Sequence, residues 1–275
     1  MIDDELFGRY ARAIDANADL LKAAVLSLES SLSGVPDAQL PQAMGALYAS
    51  LVAEYGGYAA AIACDFYESQ REISGVSGSY EPAMADPADR ALLYHDAREA
   101  SSSSAGLQSA LGKLQGKAVQ RAMEQADATV IGNASRDPAH PLFALVPHAG
   151  ACGFCVMLAS NGFVYHSKAR ANASRHPSCR CRPVADFDTG NPSLAGYDPD
   201  AMRAAYRNAK KTVEEDARAK WEAMDAEERG RWAVKGKGAY DHYLRNRVAA
   251  EMGTRDRGWL MTGKPCEISK EAGAK

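Results

Sequence analysis

The chain has 275 residues, 46% of them hydrophobic and 24% charged, with a formal net charge of −3. This is the composition of a globular protein that can bury a real core, as one large domain or two modest ones. No run of about 18 apolar residues is present, which excludes a membrane-spanning helix.

The near-neutral total hides a split. Residues 1–135 carry nine Lys/Arg against eighteen Asp/Glu, and the remaining 140 residues carry 23 basic against 17 acidic side chains. Such polarity suggests two regions with different partners. A solvated acidic helical surface accounts for the first half equally well, and the basic excess of the second is too small to establish nucleic-acid contact.

The opening stretch, MIDDELFGRYARAIDANADLL, is acidic and amphipathic and lacks the basic and apolar regions of a secretory signal. Folding in a reducing cytoplasm is therefore expected, which disfavours stable disulfides. Leu6, Tyr10, Ile14, Leu21, Val25 and Leu28 form one apolar helical stripe. It predicts a first helix that stops near Ser33-Gly34-Val35-Pro36.

A second helix is expected from about 38 to 73, with Gly56-Gly57 at its middle bending it or admitting a close neighbour. Residues 75–87 read as loop, and Pro87 as the first residue of a third helix through Glu99. After a break at Ser101–Ser104, a fourth helix is expected from about Gly106 to Ile131. Asp137-Pro138-Ala139-His140-Pro141 closes this helical half.

Residues 142–197 change character, with Gly, Pro and Cys punctuating short β-like runs such as Phe163-Val164-Tyr165. So loop-rich a segment cannot own a large core. Helices resume after Asp198-Pro199 to about Lys220, again from the N-cap Asp225 towards Trp232, and from Ala239 to Met252. The tail from Gly253 is polar. Tyr206, Trp221, Trp232, Tyr240 and Tyr243 fall on these helical segments and read as core rather than as a platform for stacked bases. The expected fold class is therefore mainly α. A helical N-terminal domain (1–139) is followed by a small α+β module (140–197) and a helical C-terminal extension (198–275) with a flexible tail.

Four of the six cysteines fall in the window CGFCVMLASNGFVYHSKARANASRHPSCRC, residues 152–181. Its spacing is C-x2-C, twenty residues, then H-x2-C-x-C. A C-x-x-C turn aims two thiolates at one centre, the usual first half of a structural zinc site. Cys152 and Cys155 with two of His176, Cys179 and Cys181 would complete a tetrahedral set, leaving one of the five spare. Bound zinc would supply the folding free energy that the segment otherwise lacks.

Disulfides, a redox C-x-x-C, a catalytic zinc and a Cys–His catalytic pair are the competing explanations. A reducing cytoplasm disfavours the first, and the second leaves H-x2-C-x-C unexplained. The third lacks a nearby carboxylate base, and four clustered thiols favour a metal over the fourth. His166 reads as a surface histidine after a strand. Lys168, Arg170, Arg175, Arg180 and Arg182 form a basic flank suited to non-specific nucleic-acid contact, although such residues are most often a solvated face. Asp186 and Asp188 read as turn-capping residues. No G-x-S-x-G or H-E-x-x-H motif occurs.

The run VPHAGACGFCVMLASNGFVY, then HPSCRC and the apolar continuation RPVADF, resembles the signature of the phage head morphogenesis family. These are the Mu F-like minor capsid proteins, here in the form found in phages of actinobacteria. The residues that carry the resemblance are Cys152, Cys155, Gly162, Tyr165, His176, Cys179 and Cys181, within about 145–187. The helical N-terminal half matches in layout.

The resemblance implies a structural virion component inside the head, associated with the portal and other head proteins. It also implies roles in capsid assembly and DNA delivery, with host cytoplasm as the site of assembly. Related proteins are often labelled capsid maturation proteases. Proteolysis and a zinc-module nuclease or DNA-binding role therefore stand as alternatives, and no membrane partner is expected.

Overall fold

The computed structural model describes residues 2–147, 151, 153–165, 181–188, 194, 196–233 and 238–254. Two compact units divide the chain: residues 1–143 with 165–194, and residues 144–164 with 195–275. The fold is mainly helical, as the periodicity requires.

The first unit is built on four helices: α1 (Asp4–Leu32), α2 (Leu40–Ile73), α3 (Arg90–Ser102) and α4 (Leu107–Arg136). Asp3 starts α1 by accepting from the Leu6 N–H at 2.6 Å, satisfying one of the first-turn donors that no helix can pair internally. The α1 stripe is buried from Leu6 through Tyr10, Ile14, Leu21 and Val25 to Leu32. It packs on α2 and α4, and α2 lies against α1, α3 and α4.

Small residues set the closeness of these contacts. Ala59, Ala60 and Ala63 of α2 and Ala118 and Ala122 of α4 are fully buried, with Leu111, Leu114 and Met123 filling the space between. Each large side chain buried this way stabilises the fold by about 1.5–3 kcal/mol. Phe7, Tyr10 and Phe66 form an aromatic cluster in which Tyr10 stacks on Phe66 at 4.3 Å.

Two buried ion pairs tie the helices together. Arg121 of α4 donates to both oxygens of Asp96 on α3, at 2.8 and 3.0 Å. Asp137, which caps α4, receives Nε of Arg71 at 2.9 Å, the Tyr67 hydroxyl at 3.1 Å and the Ala139 N–H at 2.9 Å. Burial, and then the Asp137 carboxylate, push the Tyr67 hydroxyl far above the ordinary phenol range, so it stays a donor.

Several helix boundaries differ from the sequence expectation; α3 runs to Ser102, into the expected break at Ser101–Ser104, and the seventh helix stops at Gly230. The third helix begins at Arg90, capped by Asp89 accepting from Ala91 N–H, and Pro87 belongs to an extended segment before it. The fourth helix runs five residues past Ile131, to Arg136. Asn133 would favour a cap or turn by propensity, but its amide is engaged by residue 83 and the helix continues through it.

Strands β1 (Leu142–Val146) and β2 (Arg182–Asp186) are the two strands of one sheet. β2 lies against α4 and α2. Of the expected run 163–165, Tyr165 alone pairs, forming an antiparallel bridge to Phe143 with the two rings stacked at 5.5 Å.

The second unit contains α5 (Gly153–Ala159), α6 (Pro199–Ala223), α7 (Ala226–Gly230) and α8 (Ala239–Thr254). Asp198 caps α6, and Asp225 with Glu228 forms a complete capping box on α7. Tyr243 is buried against Trp221 at 5.5 Å and Trp232 at 5.1 Å, while Tyr206, Trp221, Trp232 and Tyr240 are half-buried and Trp232 lies in the turn after α7. No helix of the described residues is long and apolar enough to cross a membrane.

Candidate functional site

Of the C-x-x-C motif, α5 carries Cys155. Gly153, the residue after Cys152, begins this helix, and Cys155 is its third residue, buried. The helix packs on α8 and α6. Gly153 is required by that approach, because a Cβ at this position would overlap the Ala249 carbonyl oxygen of α8. The glycine inside the motif therefore has a packing reason that spacing alone did not reveal. Beyond α5, the Tyr197 hydroxyl donates to the Ala159 carbonyl at 2.6 Å, and Arg203 of α6 donates to the Ser160 carbonyl at 3.0 Å. The helix end is held from α6 and its approach.

Cys181 immediately precedes β2 and is also buried. Cys152, His176 and Cys179 lie outside the described residues, as do His166, Lys168, Arg170, Arg175 and Arg180. The donor set nevertheless has the right chemistry for zinc: thiolates and imidazole suit a soft-to-borderline tetrahedral ion. Both described cysteines are withdrawn from solvent, as structural ligands are. Cys64, on α2, is partly exposed, and burial followed by Asp65 and Glu68 pushes its thiol up, away from the reactive thiolate.

Of the basic flank, Arg182 is described, and it is only 4% exposed. Its guanidinium donates to the Asp15 carboxylate and to the Ala11 carbonyl of α1, and it lies over the Tyr10 ring at 6.0 Å. It therefore faces α1 rather than solvent. Asp186 is buried and accepts from the Asp188 N–H at 3.0 Å, closing the turn that its position suggested.

One cluster went unnoticed in the sequence. His95, Asp96 and Glu99 bring three potential metal-ligand atoms within 4.8 Å of one another on α3. The H-x-x-x-E spacing, one helical turn, was the available signal. Asp96, however, is already engaged by Arg121, and the Lys117 ammonium lies 3.6 Å from both Asp96 and Glu99. These two cations supply the positive charge that a divalent ion would bring, so the cluster is an ion-pair network and not a metal centre.

The VG15 protein family matches residues 1–209, from α1 into α6, and so covers both the helical half and the cysteine-rich segment. No curated protein and no solved structure matches the chain.

Proposed function

We propose, from the premise that the chain belongs to the VG15 protein family, a phage-related virion protein family, that it is a minor capsid protein of the Mu F-like head morphogenesis kind. In this reading it is a structural component inside the head. It associates with the portal and acts in capsid assembly and in DNA delivery. The observation that carries the reading is the family match over residues 1–209. The charge split supports it, with an acidic helical half suited to protein partners and a basic half suited to packaged DNA.

The mechanism is scaffolding. Cys152 and Cys155, with two of His176, Cys179 and Cys181, would hold one zinc ion that fixes the segment between β1 and β2. Bound there, zinc would supply folding free energy and no bond chemistry. Lys168, Arg170, Arg175 and Arg180 would provide non-specific contact to packaged DNA; Arg182, held by Asp15, would not.

The test is an affinity purification of the tagged protein from infected cells, with portal and head-shell proteins identified by mass spectrometry, alongside mass spectrometry of purified virions. Portal in the eluate and the chain in the particle are expected. Absence from the particle overturns the reading. Cleavage of the major capsid protein that a single Ser, Cys or His change abolishes would replace it with the protease, and metal-dependent nicking of a plasmid would replace it with the nuclease.

A further inference from the structure

Between α2 and α3 the chain runs along α4 as an extended segment, and how it is held differs from the rest of the first unit. No residue from 77 to 89 is buried, and Met84 is 58% exposed. Its ring contact is Tyr80, which meets Tyr67 edge-on at 6.2 Å and lies under the Arg71 guanidinium. Arg71 of α2 donates to the Ser77 and Gly78 carbonyls, and the rest of the attachment is a set of hydrogen bonds from three polar side chains of α4: Gln125, Thr129 and Asn133.

Asn133 treats residue 83 as a neighbouring strand would. Its Nδ2 donates to the Ala83 carbonyl at 3.0 Å and its Oδ1 accepts from the Ala83 N–H at 2.9 Å. Two residues on, the Ala85 N–H donates to the Thr129 hydroxyl at 3.0 Å, and Gln125 Nε2 donates to the Ala85 carbonyl at 3.0 Å. Tyr80 adds its hydroxyl to Asn133 Oδ1 at 2.9 Å.

The spacing has a geometric cause. Helix positions four apart rise by about 6 Å, and strand positions two apart by about 6.6 Å. Asn133 and Thr129, one turn apart on α4, therefore keep step with residues 83 and 85, and Gln125, a turn further on, takes the remaining polar group of residue 85. The helix thus offers a row of side chains in place of a strand edge. Asn133 and Thr129 are fully buried beneath the segment, and Gln125 nearly so. Gly56 of α2 makes room for Gln125, since a Cβ there would meet its Oε1. Pro82 and Pro87 flank the paired residues and avoid them, as a missing N–H at 83 or 85 would break the row.

We propose that residues 79–87 are a detachable strap, and that the Gln125–Thr129–Asn133 row is a binding site for one extended peptide backbone, occupied here by the chain's own segment. The site reads N–H and C=O groups at two alternate residues, 83 and 85 in the strap. Each such bond contributes only about 1 kcal/mol net, and the strap's ring contact is Tyr80, half-buried against Tyr67. It therefore opens as a unit while α1, α2 and α4 stay folded.

The experiment replaces residues 77–88 by a Gly/Ser linker of the same length and adds a fluorescent synthetic peptide of residues 77–88. Saturable binding is expected, weakened about tenfold in a peptide carrying Ala83→Pro, which loses the N–H that Asn133 accepts. A folded linker variant that does not bind, or that binds the proline peptide equally well, overturns the proposal. Should the linker variant fail to fold, limited proteolysis of the full chain decides. Asn133→Ala is expected to raise cleavage within 77–89 about tenfold, with the helices still intact. Unchanged cleavage there, or cleavage that rises only together with loss of the helices, overturns it.

Discussion

The unit built on α1, α2 and α4 and the unit built on α5, α6 and α8 are both helical, yet they bury very different amounts of themselves. α4 buries fourteen of its 30 residues, whereas α6 buries four of 25: Met202, Ala209, Val213 and Ala217. The first unit closes apolar stripes against each other and locks them with two buried ion pairs. The second relies on one stripe, an aromatic cluster around Tyr243 and the close approach of Gly153 to α8. The difference teaches where extra stabilisation is needed. Helical stripes suffice for the first unit, and the cysteine segment is where the proposed zinc would act.

The largest test of this contrast is to remove the metal. Zinc at a Cys/His site contributes on the order of 10 kcal/mol to folding. Chelation, or Cys155→Ser, is expected to abolish hydrogen-exchange protection in α5 while leaving α1, α2 and α4 protected. Equal loss in all of them would break the contrast.

Next in size is the buried pair in the first unit. Asp96→Ala leaves the Arg121 guanidinium, whose proton Asp96 holds even more firmly than usual, without its bidentate partner. A loss of about 3 kcal/mol in denaturant stability is expected. The double change Asp96→Leu with Arg121→Met should recover most of it, because the pair guards against an unpaired charge more than it adds net stability.

Gly153→Ala sharpens the comparison from the other side. It should cost about 1–3 kcal/mol by forcing α5 off Ala249, seen as faster exchange in α5 and α8 with no change in α2 or α4. Asp225→Ala removes the capping box of α7 at about 1 kcal/mol, visible as fraying at residues 226–230.

The smallest effect is the pH dependence of Asp216, whose carboxylate is lowered by the hydrogen bond from Lys220 and by Arg247. A carboxylate with a depressed pKa in the folded state stabilises at pH above its ordinary value, and the contribution fades as pH falls through the lowered one. Asp216→Asn should therefore flatten the acid side of the stability profile only slightly, because the group is exposed.

What was legible in the sequence was the part that follows from local periodicity. The Leu6–Leu28 stripe, the stop after Leu32, the helix that resumes after Asp198 and the cap at Asp225 depend on near neighbours and are present as expected. The misread features depend on distant partners. Pro87 has the local character of a helix start, but the segment around it is extended by the side chains of Thr129 and Gln125, some forty residues away. Gly56 was open to two explanations in the sequence, and Gln125 decides it as room for a close neighbour. The cysteine window announced itself through spacing alone. The packing reason for Gly153 did not, since it needs α8, nearly a hundred residues later.

The most direct test of the account is the metal content of the purified protein, together with a thiol titration in denaturant with and without reductant. One zinc per chain and all six cysteines titrating as free thiols are the predicted result. No metal and fewer than six thiols would mean that disulfides hold the segment, and the zinc scaffold would fall.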